Sequence, residues 1–301
     1  MSGDHAHAGA VSAAGRHKRP LVIAFGLTAA FMVVEVVVGF AVDSLALISD
    51  AGHMLTDVAG IGMALAAIQV AESRRSSSST YGLYRLEVLA ALANAVLLFA
   101  VAGYVLYEAW GRFEDPVDVP GGWVLLVAAI GLSVNVVSFM LLRAGAKESM
   151  NVRGAFLEVL SDLLGSVGVL VAGFVLLTTG WPYIDPIVGV GIGLFILPRA
   201  YRLGREALRV LLQVAPAEID VDGVRRALEG VSGVAGVHDL HVWTLTSGLR
   251  VATAHIDLAP GADSSAVLTS AQRVLGDELG IEHVTLQVEP EGFSDHAAVP
   301  V

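Results

Sequence analysis

Ser44-Leu45-Ala46-Leu47-Ile48-Ser49-Asp50-Ala51-Gly52-His53-Met54-Leu55-Thr56-Asp57 sets three ionisable side chains inside a long apolar run, residues 45–70. On a helix, positions four apart share a face, so His53 and Asp57 stack, and Asp50 lies one turn from His53. A second apolar run, 150–177, carries Glu158-Val159-Leu160-Ser161-Asp162, in which Glu158 and Asp162 repeat that spacing. Two helices presenting two donors each could supply four oxygen or nitrogen ligands around a point, which suits a tetrahedral Zn²⁺ site. Asp50 would then be an outer partner of the site. An ionised residue near the bilayer centre costs on the order of 3 kcal/mol, so Asp50, Asp57, Glu158 and Asp162 would together cost roughly 12 kcal/mol if charged and unpaired. No comparable row of intramembrane Lys or Arg stands ready as partner, which leaves bound cations or protons as compensation. The alternative is that some of these acids are protonated helix-packing groups.

Composition places those runs in lipid. The chain has 301 residues, 55% of them hydrophobic and 16% charged, against roughly 25% charged in a typical globular chain. Its mean hydropathy is +0.70. With no Cys, disulfides, thiolate metal sites and a Cys nucleophile are excluded, and a transition metal must be held by imidazole and carboxylate. A net charge of −11 argues against nucleic acid as a partner. The charge is uneven: residues 1–212 hold 16 acidic and 14 basic residues, whereas 213–301 hold 13 acidic and 4 basic. A hydrophobic body therefore precedes an acidic soluble domain.

Six apolar segments follow a small polar tail (1–19): 21–42, 45–70, 86–110, 119–142, 150–177 and 184–212. Most reach the ~20 residues needed to cross a bilayer. The sixth is the least apolar, turning basic after Pro198 with Arg199, Arg202, Arg205 and Arg209. The tail contains no cleavable-signal pattern. Arg16, Lys18, Arg19, Arg74, Arg75, Arg85, Arg143, Lys147 and Arg153 join those four arginines on one side of the membrane, and the opposite connections carry only Arg112. The positive-inside rule then puts both termini in the cytoplasm. The expected boundaries are 1–19 tail, 20–212 six-helix membrane domain, 213–291 cytoplasmic domain and 292–301 tail. In the soluble part, Asp220 is expected to cap a helix ending near Glu229. Residues 240–245 and 250–258 alternate as strands about Thr246-Ser247-Gly248, 262–279 reads as a helix, and 283–289 as a third strand. The whole is an α-helical membrane protein of six transmembrane helices with a C-terminal cytoplasmic α+β domain.

Isolated polar residues have plainer readings. Glu35, Asn94 and Asn135 suit interhelical hydrogen bonds, and Glu87 and Glu108 suit span ends. Gly189, Gly191 and Gly193 permit close helix packing. His5, His7 and His17 could gather metal weakly in a disordered tail, and 74–79 reads as a flexible loop. Four His (His238, His241, His255 and His283) fall in the acidic domain. His255 and Asp257 share a strand face, so a metal site competes there with an ordinary surface or core role.

The segment 44–57 resembles the second-helix signature of cation diffusion facilitators. Tyr81-Gly-Leu-Tyr-Arg-Leu-Glu-Val-Leu-Ala-Ala91, Asn151 through Gly168, Trp181-Pro-Tyr-Ile-Asp-Pro186 and His238-Asp-Leu-His-Val-Trp243 resemble that family's third, fifth and sixth helices and its cytoplasmic domain. The resemblance runs from about Pro20 to Pro290. It implies a homodimeric metal/proton antiporter with six helices and a ferredoxin-like cytoplasmic domain, exporting zinc as substrate rather than keeping it as a cofactor. It implies His53, Asp57 and Asp162 as transport ligands. Glu158 stands where zinc members usually carry His, making one nitrogen and three carboxylates. That harder set keeps iron, cobalt and manganese as alternatives. The resemblance also implies a regulatory metal site at His238, His255 and Glu289, weakened because another ligand position is Gln287. A membrane-embedded metalloenzyme and a non-transporting metal sensor are the rival readings; the chain lacks His-Glu-x-x-His, and only a transporter moves metal across a sealed bilayer.

Overall fold

A computed structural model describes residues 5–73, 80–81, 83–144, 150–246, 248–290 and 293. The expected loop 74–79 and Ser247 lie outside the described residues, as do the side chains of His5, His7 and His17. Six long helices come first: α1 His5–Ala41, α2 Leu45–Ser73, α3 Arg85–Glu114, α4 Gly121–Leu142, α5 Met150–Thr179 and α6 Ile184–Leu211. The α+β part follows: α7 Val221–Glu229, β1 Val234–Thr246, β2 Leu249–Leu258, α8 Ser264–Arg273 and β3 His283–Glu289. The helix begins at His5 and runs through Pro20, so the backbone before Pro20 is helical and not the loose tail its composition suggests. Among the described residues, five helices are long and apolar enough to cross a membrane: α1, α3, α4, α5 and α6. The sixth segment, α6, is among them, and α2, at 29 residues, is comparable in length.

The chain divides into two compact units, residues 1–62 with 93–202, and residues 63–92 with 203–301. In the first, α4 packs against both α5 and α1. A side chain at Gly173 would meet the Leu125 backbone nitrogen at 2.6 Å, so only glycine lets α5 approach α4 this closely. Phe139 and Phe156 pack with ring centroids 4.7 Å apart beside buried Leu142 and Val159. The start of α2 is capped from a distance: Asp185 Oδ2 accepts from the Leu45 N–H at 2.6 Å, and its Oδ1 accepts from Ser44 Oγ at 2.6 Å and the Ala46 N–H at 3.3 Å. One turn on, Ser49 Oγ donates to the Gly189 carbonyl at 3.1 Å. Arg112 joins this network through Asp43 Oδ1 at 2.6 Å and lies 3.6 Å from Asp185 Oδ2. These bonds supply the buried backbone donors that the first turn of a helix cannot satisfy internally.

In the second unit the sheet order is β1-β2-β3, with β1/β2 antiparallel and β2/β3 parallel across α8. Strand alternation sends Val237, Val242, Ala252, Ala254 and Ile256 to one face, where Val224 and Leu228 of α7 and Val267 and Ala271 of α8 cover them. β1 begins six residues before the expected strand, at Val234. Its register shifts between His238 and His241, where Asp239 has φ +51°. This bulge lets Val237, Leu240 and Val242 all reach the core despite their uneven spacing. Asp220 sits at the N-cap of α7 without making the capping bond; its Oδ2 accepts from Arg226 Nη2 at 3.0 Å instead. The α8 cap is Asp263, whose Oδ1 accepts from the Ser265 N–H at 2.9 Å. Thr246 Oγ donates to Glu87 Oε2 at 2.7 Å, and the Tyr81 and His283 rings meet edge-on at 5.6 Å.

Candidate metal centre

Two groups of metal-ligating side chains converge among the described residues: His53, Asp57 and Asp162 in the first unit, and His238, His255 and Glu289 in the second. Within each group the donor atoms lie within 4.8 Å of one another.

In the first group, helical spacing stacks His53 over Asp57 on α2, and α5 brings Asp162 to the same point. His53 Nε2 is 3.8 Å from Asp57 Oδ2 and 3.6 Å from Asp162 Oδ1. A tetrahedral zinc with bonds of about 2.0–2.2 Å separates its donors by roughly 3.4 Å, so small side-chain adjustments would close these atoms on one ion. His53 and Asp162 are each 5% exposed. Neither His53 ring nitrogen nor Asp162 Oδ1 has a hydrogen-bond partner. Unpaired polar atoms this deeply buried are costly, and a cation held between His53 Nε2 and Asp162 Oδ1 would satisfy those two. A cavity of ≈ 370 Å³ opens beside His53 and Asp50, walled by Gly165, Gly168, Gly191 and Phe195 among others.

The two remaining residues expected at this site have other partners. Glu158 is turned to Arg199, whose Nη1 and Nη2 donate to its Oε2 and Oε1 at 2.5 and 2.6 Å. Arg199 Nη2 also lies 3.0 Å from Asp57 Oδ1. Arg199, grouped by its sequence neighbours with the basic run after Pro198, is thus a cation paired with two of these carboxylates. Asp50 is buried next to the equally buried Glu35, and neither His53 ring nitrogen bonds to it. Asn135 Nδ2 donates to Ser166 Oγ at 2.9 Å, the interhelical role its isolation in the fourth segment suggests.

The second group lies on the sheet face opposite the apolar core. Register aligns His238 with His255 and Gln287, and Asp257 with Glu289. Glu289 is buried; its Oε2 accepts from His238 Nε2 at 3.2 Å and its Oε1 accepts from Gln287 Nε2 at 2.7 Å. His255 Nδ1 lies 2.7 Å from Glu289 Oε1, off the line of a hydrogen bond and without a partner. The bulge turns the Asp239 carboxylate to His241 Nε2 at 2.8 Å, with His255 Nε2 at 3.7 Å. The bond from His241 holds the Asp239 carboxyl below the usual carboxylate range.

Comparison with known proteins agrees along nearly the whole chain. Residues 21–212 match the family model for the cation efflux transmembrane domain, and 216–291 match the model for the cation efflux protein cytoplasmic domain. The metal cation efflux system protein CzcD of Cupriavidus metallidurans is 44% identical over 277 residues, 91% of this chain and 87% of that protein. The zinc transporter ZitB of Escherichia coli is 40% identical over 291 residues, 96% of this chain and 93% of its own. A protein of Bacillus velezensis named for cadmium, cobalt and zinc/H(+)-K(+) antiport is 38% identical over 294 residues, covering 96% and 92%. With both family models matched in order along the chain and relatives 38–44% identical over nearly all of it, this chain belongs to the cation efflux family.

Proposed function

We propose that this protein is a secondary active transporter that exports a divalent metal cation, zinc foremost, from the cytoplasm in exchange for protons. The observation that carries the reading is the convergence of His53, Asp57 and Asp162, with His53 Nε2 and Asp162 Oδ1 buried and without a hydrogen-bond partner. The relatives' names, which specify zinc, cobalt and cadmium, support the substrate class. Metal and protons compete for the same imidazole and carboxylate lone pairs, so exposure to a proton-rich side favours release and exposure to the cytoplasm favours loading. The imidazole favours zinc over magnesium or calcium, while the carboxylates keep cobalt, iron and manganese as second candidates. The division near residue 212 would separate transport from a cytoplasmic domain in which His238, His255 and Glu289 bind a regulatory ion. That domain would join two copies into a homodimer, and the basic loops orient it inward.

Purified protein in sealed proteoliposomes should accumulate zinc when an opposing proton gradient is imposed, and collapsing the gradient should slow accumulation. A protein that binds zinc but moves none, with or without the gradient, defeats the proposal. Protease added to right-side-out vesicles should spare the C-terminal domain; its digestion there reverses the orientation.

A further inference from the structure

Arg199 belongs to no donor set, yet its guanidinium touches two of the carboxylates around the candidate transport site. It grips Glu158 through both oxygens, at 2.5 and 2.6 Å, and stands 3.0 Å from Asp57 Oδ1. The other Asp57 oxygen, Oδ2, faces His53. One cation thus fixes the outer edge of Asp57 while leaving its inner edge to the site. A guanidinium has five donors and no lone pair, so Arg199 cannot itself bind a metal. While it holds both Glu158 oxygens, Glu158 does not join His53, Asp57 and Asp162.

The formal charges fit a single cargo. Asp57, Glu158 and Asp162 contribute three negative charges and Arg199 one positive, so one divalent cation brings the group to zero. A monovalent ion would leave a negative charge and a trivalent ion a positive one, in surroundings where uncompensated charge is expensive. We infer that Arg199 is a built-in counter-cation of the transport site: it withholds Glu158 from the donor set and tunes the group to be neutralised by one divalent ion. This rests on the proposed identity of the His53, Asp57 and Asp162 site.

Zinc binding by calorimetry to the full-length protein in detergent tests it, in a His238→Ala, Glu289→Ala background so that only the membrane cluster reports. A unit charge this close, with Arg199 one-third exposed, should change divalent affinity by about tenfold. Arg199→Gln should tighten zinc by that factor, because it adds net negative charge and frees Glu158. Glu158→Gln should weaken zinc by about tenfold, because it leaves Arg199 uncompensated. The double variant should return to within about threefold of the parent. Arg199→Lys keeps the charge and should stay near the parent value, which separates charge from folding if Arg199→Gln inserts poorly. Unchanged or weaker zinc binding in Arg199→Gln overturns the inference, since a merely structural tie would behave so. A double variant as weak as Glu158→Gln also overturns it, since Glu158 would then be a ligand. A parent that binds zinc in an Asp162-dependent manner but fails to transport it defeats the transporter reading alone, and the binding series still decides the role of Arg199.

Discussion

The two His–carboxylate clusters are built from the same ingredients and differ in what surrounds them. In the membrane cluster, both nitrogens of His53 and one oxygen of Asp162 are buried without a partner. In the soluble cluster only His255 Nδ1 is so placed: Glu289 already has His238 and Gln287, and His238 is 37% exposed to solvent. Side chains that satisfy one another do not need an ion; side chains stranded in a dry interior do. Ligand type alone therefore says little about how strongly a site demands its metal. The neighbours decide it, and under the proposed function they suit the first cluster to the cargo and the second to a modulating ion.

The largest effect expected is on that assignment. Asp57→Ala or Asp162→Ala should reduce zinc transport by more than about a hundredfold, beyond what loss of an outer partner costs, as measured by zinc flux into proteoliposomes. Equal losses from His238→Ala would break the comparison. Next comes the sheet that holds the soluble cluster. Ile256 is fully buried between His255 and Asp257 in sequence, and Ile256→Ala should destabilise the cytoplasmic domain by about 2–4 kcal/mol. Calorimetry of the full chain should show one transition lowered, with zinc restoring part of the loss. A smaller effect should follow from Glu289→Gln: zinc affinity of the soluble cluster falling about tenfold, with flux at saturating zinc within about threefold of the parent.

The smallest effect concerns Asp239. Its depressed pKa means that the stabilising bond from His241 is fully present above the ordinary carboxylate range and is lost as pH falls through the lowered folded value. Asp239→Asn should remove this acid-side dependence, changing the midpoint between pH 6 and pH 3 by about a degree or less at so exposed a site. A shift of many degrees would show that the bulge, and not the charge, depends on that residue.

What could be read from the sequence was what local periodicity dictates. The four-residue spacing of His53 and Asp57 needs only a helix to put both on one face, and β3 has the bounds its alternation suggests, His283–Glu289. The remainder depended on partners far along the chain. Arg199 follows Pro198 in a basic run and is 41 residues from Glu158, so nothing local distinguishes it from Arg202 or Arg205. The bulge at Asp239 is set by pairing with β2 and has no local signal beyond an uneven apolar spacing. Asp50 shares α2 with His53, and only the packing of α1 brings Glu35 beside it.

The Asp185 cap has a consequence for how the protein is made. The first-turn groups of α2 depend on a carboxylate 140 residues further along the chain. During synthesis α2 emerges long before α6 exists, so Leu45 and Ala46 must find temporary acceptors, in water, lipid headgroups or the insertion machinery. The arrival of the last helix replaces them. Assembly of the membrane domain therefore ends with a locking step, and a ribosome-stalled chain that stops before Ile184 should be cleaved near Ser44 by protease far more readily than the finished protein.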